Sequence, residues 1–298
     1  MFRSTLFMEF VFIGLWNSGF IAAEYGLPYA GPFTQTFWRY AGLAVVLFVY
    51  LTVTGRIQWP GWAAAAPVFC VGILAHAVWL SCSLLSIDHG VPAGIVALVV
   101  ALQPLLTGAL SGKVTGEPTP FFRWVGLGIG FTGVALAVLS RVDLNDSASV
   151  FFHFVPLGAV AAMTAATLLQ RRMELNRHDR VLPLDVSLFY QSLASAAILI
   201  VPAVFIEELQ TDWDPAFFKA MLWVIFAVSL FAYSLMFDLI KRIDATRLSS
   251  LFFLGPPITM LMGWAFFGDT LEPTDLTGLL IAGIGVALAQ QKQKNHLM

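Results

Sequence analysis

Charge is what this chain has least of. Lys, Arg, Asp and Glu make up 11% of its 298 residues, against about 25% in a soluble domain. That shortage excludes an ordinary water-soluble globule. Cysteine is nearly absent. Cys70 and Cys82 share one apolar segment and stand about 18 Å apart at a helical rise of 1.5 Å, too far to bridge. No redox compartment follows from them. Histidine is scarce, and His153 and His178, near segment ends, have no second ligand at metal-binding spacing. There is no Ser/His/Asp set and no pair of deep carboxylates, which counts against an enzyme. No cofactor or ATP site is visible, and none is expected. Gly128-Ile-Gly130-Phe-Thr-Gly133 spells a dinucleotide fingerprint, but it lies inside an apolar run with no preceding strand. Close helix packing through small residues is the better reading.

What the chain has instead is hydrophobic length. Residues are 58% hydrophobic and the mean hydropathy is +0.81. A helix needs roughly 20 apolar residues to cross the hydrocarbon of a bilayer. Ten such segments are predicted, near 5–23, 33–53, 62–86, 91–111, 121–140, 151–170, 184–205, 217–240, 246–267 and 274–290. Little chain is left for a soluble domain. With the N-terminus in the cytoplasm, 13 Lys and Arg fall on the inner side, from Arg3 and Arg56 to Lys292 and Lys294. Only Arg141 and Lys219 fall outside, and Arg39 lies within a span. The positive-inside bias places both termini in the cytoplasm and makes the number of spans even. The net charge of −2 says little about partners, because the charges are sorted by side. Membrane lipid is the expected surrounding, no nucleic acid is expected, and a homodimer stays open.

The chain also repeats itself. Gly126, then Gly133-Val-Ala-Leu-Ala, recurs 152 residues later as Gly278, then Gly285-Val-Ala-Leu-Ala. The same offset pairs Phe37-Trp38-Arg39 with Phe189-Tyr190-Gln191, and Pro104 with Pro256. Each half carries an odd number of spans, so the second copy inserts upside down. The expected fold is therefore all-α and integral to the membrane: ten transmembrane helices in two inverted five-helix repeats, 1–145 and 146–298. Inverted repeats are the mark of secondary transporters with a midplane site between the halves.

Polar groups inside the bilayer need a reason, because burying them is costly. His76 lies deepest, with Trp79 and Ser83 on the same helical face. A histidine can change charge near neutral pH, so it is a candidate for proton coupling or substrate contact, against a neutral histidine bonded to a neighbouring helix. Arg39 either binds a substrate carboxylate, pairs with Glu24 or Asp88, or snorkels to the surface. Glu9, one turn inside its span, is a third coupling candidate. Trp16 and Asn17 lie mid-membrane, and Asn17 needs a helix or ligand partner there. Met163 and Thr164 occupy the equivalent depth of the sixth span, and Tyr233 and Phe237 populate the eighth. Gln103 precedes Pro104. Pro104 and Pro256 interrupt corresponding spans, each removing a backbone donor, and paired interruptions point to a transporter's binding site.

Leu15-Trp16-Asn17-Ser18-Gly19-Phe20, Phe37-Trp38-Arg39-Tyr40 and Pro92-Ala93-Gly94 follow one another in an order that resembles a known family. Gln103-Pro104-Leu105, Glu117-Pro118, Pro256-Pro257, Gly268 and Glu272-Pro273 continue it. The whole chain resembles the EamA family of the drug/metabolite transporter superfamily. The resemblance implies ten helices in two inverted halves, and efflux of amino acids or other small metabolites, often drawing on the proton gradient. The reading that emerges is a secondary transporter in a bacterial inner membrane. It exports a small-molecule substrate by alternating access around a central cavity. An importer or broad drug exporter of the same fold, a membrane enzyme and a structural subunit are its rivals.

Overall fold

The computed structural model describes residues 5–115, 121–175, 182–240, 242 and 251–289. Glu117-Pro118, His178 and the basic residues Arg3, Arg177, Arg180, Lys241, Arg247, Lys292 and Lys294 lie outside the described residues. Among those described there is no strand, only an isolated antiparallel bridge between Ala30 and Thr211. A bilayer imposes this, because a spanning backbone must satisfy its own hydrogen bonds, as a helix does.

Among the described residues, eight helices are long and apolar enough to cross a membrane. They are α1 (Thr5–Gly26), α2 (Pro32–Val53), α3 (Trp62–Asp88), α4 (Ala93–Gly112), α5 (Phe121–Arg141), α6 (Ser147–Met173), α7 (Leu184–Phe205) and α8 (Pro215–Met236). Two shorter apolar helices follow, α9 (Gly255–Phe267) and α10 (Pro273–Ala289). At 1.5 Å per residue their described parts are about 20 and 26 Å long. Of the ninth expected span, residues 246–250 lie outside the described residues, and the chain turns at Phe253 and Leu254 before α9 begins.

That turn has a counterpart. Helix α4 breaks at Ala101 and Leu102, between Ala93–Val100 and Gln103–Thr115. Leu102 N–H donates to Val99 O at 3.0 Å, and Leu254 N–H to Leu251 O at 3.1 Å. These bonds correspond under the 152-residue offset. Each precedes a proline by two residues, Pro104 and Pro256, whose ring nitrogen has no hydrogen to continue the α-ladder. The paired interruptions expected from the sequence are thus present in the backbone. A second pair accompanies them: α3 is π-helical over Ile73–Val78 and α8 over Trp223–Ala232. The offset carries 73–78 onto 225–230, inside the second stretch. Wide π-turns recur at functional sites.

Helix α2 packs along α7, and α5 along α10. Helix α1 packs against α8 and α9, and α6 against α3 and α4, while α4 also meets α9. The α5–α10 crossing is glycine-lined. A Cβ on Gly133 would stand 2.5 Å from Gly278 O and from Ala282 N, and one on Gly285 would stand 2.5 Å from Gly126 O. Gly126 and Gly133 therefore serve close helix packing, as read from the sequence. At the end of α5, Arg141 pairs with Asp275 and donates to Thr270 O at 2.6 Å. In the α9–α10 connection burial pushes the Asp269 carboxyl above its ordinary value, opposed by Arg141.

Candidate functional site

His76 sits in the π-helical stretch of α3 and is 5% exposed. Its Nε2 lies 2.9 Å from Gln191 Oε1 on α7. The Gln191 amide nitrogen donates to Ser187 Oγ at 3.0 Å, which leaves its carbonyl oxygen for the imidazole. The neutral ring therefore donates from Nε2 and keeps Nδ1 as its acceptor. Nδ1 has no hydrogen bond among the described residues.

Aromatic rings surround this tie. The Tyr40 ring centroid is 5.0 Å from that of His76 and the Tyr233 centroid 6.5 Å. Trp16 continues the wall, 5.2 Å from Tyr233, 5.5 Å from Phe252 and 5.6 Å from Phe12. Beside Tyr40, Arg39 is 8% exposed. Its Nε and Nη2 both donate to Ser229 Oγ, at 3.1 and 3.0 Å, and its Cζ stands 5.6 Å from the Tyr40 centroid. Neither pairing with Glu24 or Asp88 nor snorkelling is what the structure shows. The α2–α8 contact brings Ser229 alongside the guanidinium instead. Two related ties result. Arg39 on α2 holds the π-stretch of α8, and its repeat counterpart Gln191 on α7 holds the π-stretch of α3.

The other residues singled out from the sequence fall elsewhere. Gln103 Nε2 donates to Thr107 Oγ1 at 2.9 Å and to Thr167 Oγ1 at 3.3 Å, and Thr107 reaches Thr164 at 3.5 Å. This polar string joins α4 to α6 just past the Pro104 break. Met163 packs there against a small cluster of Val71, Ala75 and Ala166. Asn17 has helix partners: its Nδ2 donates to Ile13 O at 2.8 Å, and its Oδ1 accepts from Thr259 Oγ1 on α9 at 3.1 Å. Thr259 lies one turn past Pro256 and is the repeat counterpart of Thr107. Trp79 packs on Phe20 at 6.1 Å, and its buried Nε1 has no acceptor among the described residues. Glu9 is buried in α1. The Phe237 side chain lies outside the description.

So Trp16, His76 and Tyr233 come together, whereas Gln103, Met163 and Thr164 form a second group. Sequence reasoning missed Tyr40, Gln191, Ser229 and Phe252 as members of the first group. Gln191 was within reach, because the repeat already matched it to Arg39. Ser229 carried no signal, being one serine in an apolar run.

Two cavities lie away from these ties. One of about 360 Å³ is apolar and touches both helix breaks, with Ala101, Leu102, Phe253 and Pro256 in its wall. The other, about 470 Å³, is polar and includes His89, Arg141, Asp143 and His153. Neither includes His76 or Arg39. The expected midplane cavity is thus not one of these two; aromatic rings pack around His76 instead.

The model of the EamA-like transporter family matches residues 4–139 and again 151–290. The uncharacterized transporter YvbV of Bacillus subtilis (strain 168) is 23% identical over 297 residues, covering 98% of this chain and 93% of YvbV. A solved crystal structure is similar with a TM-score of 0.63 at 20% identity, covering 96% of each chain. At that identity the likeness shows the fold.

Proposed function

The chain belongs to the EamA-like transporter family of the drug/metabolite transporter superfamily and is a multi-pass membrane transporter, and on that premise we propose that it exports a small amphipathic metabolite, such as an amino acid, by proton-coupled alternating access. The membrane is the inner membrane of a bacterium, with both termini in the cytoplasm, as the sorting of Lys and Arg supports.

The architecture we propose is two inverted five-helix repeats, 1–145 and 146–298. Two observations support it beyond the sequence. The family model matches twice, once on each side of residue 145. The helix contacts also map onto themselves when helices are exchanged five apart: α1–α8 with α6–α3, α1–α9 with α6–α4, and α2–α7, α4–α9 and α5–α10 each with itself. Such self-matched pairs are what a two-fold axis between the halves would produce.

The observation that carries the functional reading is the His76 tie. A buried imidazole is bonded through Nε2 to a polar side chain of the opposite half, and its Nδ1, without a hydrogen bond among the described residues, is placed to accept a proton or a substrate donor. Aromatic Trp16, Tyr40 and Tyr233 supply the mostly apolar walls typical of small-molecule sites. The breaks at Ala101 and Phe253 are the hinges on which α4 and α9 would swing.

Reconstitution in proteoliposomes with a panel of amino acids, with and without an imposed pH gradient, tests this. Uptake of at least one panel member, driven uphill by the gradient, is the expected result. No uptake of any member under either condition would sink the reading. The same assay examines the hinges. Pro104→Ala and Pro256→Ala should each lower flux several-fold while leaving thermal stability unchanged or raised, because each substitution restores a backbone bond. Normal flux in the double variant would mean that the prolines only pack.

A further inference from the structure

Arg39 is a buried full charge whose partners among the described residues are neutral. Among the described residues the ion pairs join Arg56 to Asp185, and Arg141 to Asp275 and Glu272; His89 lies 3.7 Å from Asp88 and pairs with it only when protonated. None of them involves Arg39. A guanidinium out of water normally needs an opposite charge, since desolvating a lone ion is strongly unfavourable. Here it has one hydroxyl and the face of one ring.

The geometry of that hydroxyl contact is informative. Nε and Nη2 are the two donors along one edge of the guanidinium, spaced to meet the two oxygens of a carboxylate side by side. In this structure both donors converge on the single Ser229 Oγ, at 3.1 and 3.0 Å. One neutral oxygen occupies the position of two anionic ones. The guanidinium carbon stands 5.6 Å from the centroid of Tyr40, whose ring packs on His76, so it adjoins the candidate site rather than a remote surface.

We propose that Arg39 is the anchor for a carboxylate on the transported solute, and that Ser229 is a placeholder which the carboxylate displaces. The inference rests on the transporter reading above and narrows it to solutes that carry one carboxylate and an apolar body. Displacement has a mechanical consequence. The Arg39–Ser229 contact ties α2 to the π-stretch of α8, and its exchange for a ligand contact releases that stretch. Binding energy is thereby directed to the helix that must move. The related Gln191–His76 tie on α3 is untouched by the exchange, so the two halves respond unequally to one ligand.

The test uses matched solutes that differ only at the carboxyl group: leucine with leucinamide, and phenylalanine with phenylalaninamide. Binding to the purified full chain is read from tryptophan fluorescence. Folding of each variant is checked by its elution in detergent and its thermal midpoint. In the wild type the acids should bind at least tenfold tighter than their amides. Arg39→Gln should weaken the acids about 10- to 100-fold, the range of a lost charge-assisted hydrogen bond, and leave the amides nearly unchanged. Arg39→Lys keeps the charge but not the fork and should fall between. Ser229→Ala should tighten acid binding, because the competitor for the fork is gone. A purely structural latch predicts the opposite, with Ser229→Ala and Arg39→Gln equally harmful to acids and amides. That pattern, or an acid-to-amide ratio unchanged by Arg39→Gln, overturns the proposal. If amides bind and are transported while Arg39 is indifferent, the carboxylate anchor falls and the transporter reading stands. If no solute binds or moves, both fall.

Discussion

Gly133→Ala should leave little folded protein. One methyl group at this position would meet Gly278 O and Ala282 N of α10 at 2.5 Å, and both are backbone atoms. Backbone cannot rotate aside as a side chain does, so the axes of α5 and α10 must separate along the most extensive helix contact described. Overpacking of a tight interface costs about 1–3 kcal/mol or more, and here little competing hydrophobic drive restores the contact, because lipid is as apolar as the interface. Gly285→Ala should behave alike, since its Cβ would meet Gly126 O at 2.5 Å and Gly130 N at 2.6 Å. Gly128→Ala supplies the control: nothing lies within 4 Å of its Cβ, and the same helix carries it. Expression and the thermal midpoint in detergent should fall sharply for the first two variants and stay level for the third. A Gly133→Ala protein that melts with the wild type would show that the crossing is looser than described.

His76→Gln should abolish either the pH dependence of transport or much of the substrate affinity, and which one is lost assigns the residue. The glutamine amide can still donate to Gln191 Oε1, so the α3–α7 tie survives. What disappears is Nδ1 and the ability to change charge. If His76 carries the coupled proton, the variant binds substrate normally, and its flux no longer responds to pH between about 5.5 and 8, a range that brackets the ordinary histidine value near 6.5. If His76 holds substrate, affinity falls about five- to tenfold, as for one lost hydrogen bond, and the remaining flux keeps its pH response. Parallel measurements of binding and proteoliposome flux separate the two. A variant equal to the wild type in both assays would return His76 to a packing role.

Much of this molecule is legible without coordinates. Low charge and long apolar runs dictate a helical membrane protein, because no other backbone arrangement of this length of apolar sequence hides its polar groups from lipid. The 152-residue repeat located both helix breaks through Pro104 and Pro256, since proline acts on its own backbone whatever surrounds it. The same locality made Gly130 and Gly133 readable as packing residues. Local rules also have a limit, which α9 illustrates. A window of hydrophobicity reads straight through Phe253 and Leu254, where the described chain turns before α9 begins.

Partnership across helices was not legible. His76 and Gln191 are 115 positions apart, and Arg39 and Ser229 are 190 apart. Nothing in either stretch of sequence states that these side chains meet. Trp16 and Asn17 are neighbours in the chain, yet Trp16 joins the aromatic wall of the site and Asn17 is tied to Thr259. A helix turns about 100° per residue, so adjacent residues face different neighbours. Residue type and periodicity therefore determined which segments cross the membrane and where they break. Which polar groups find each other was decided by the packing of α2 on α7 and α8, and of α3 on α7, because only tertiary contact fixes the rotation of one helix against the next.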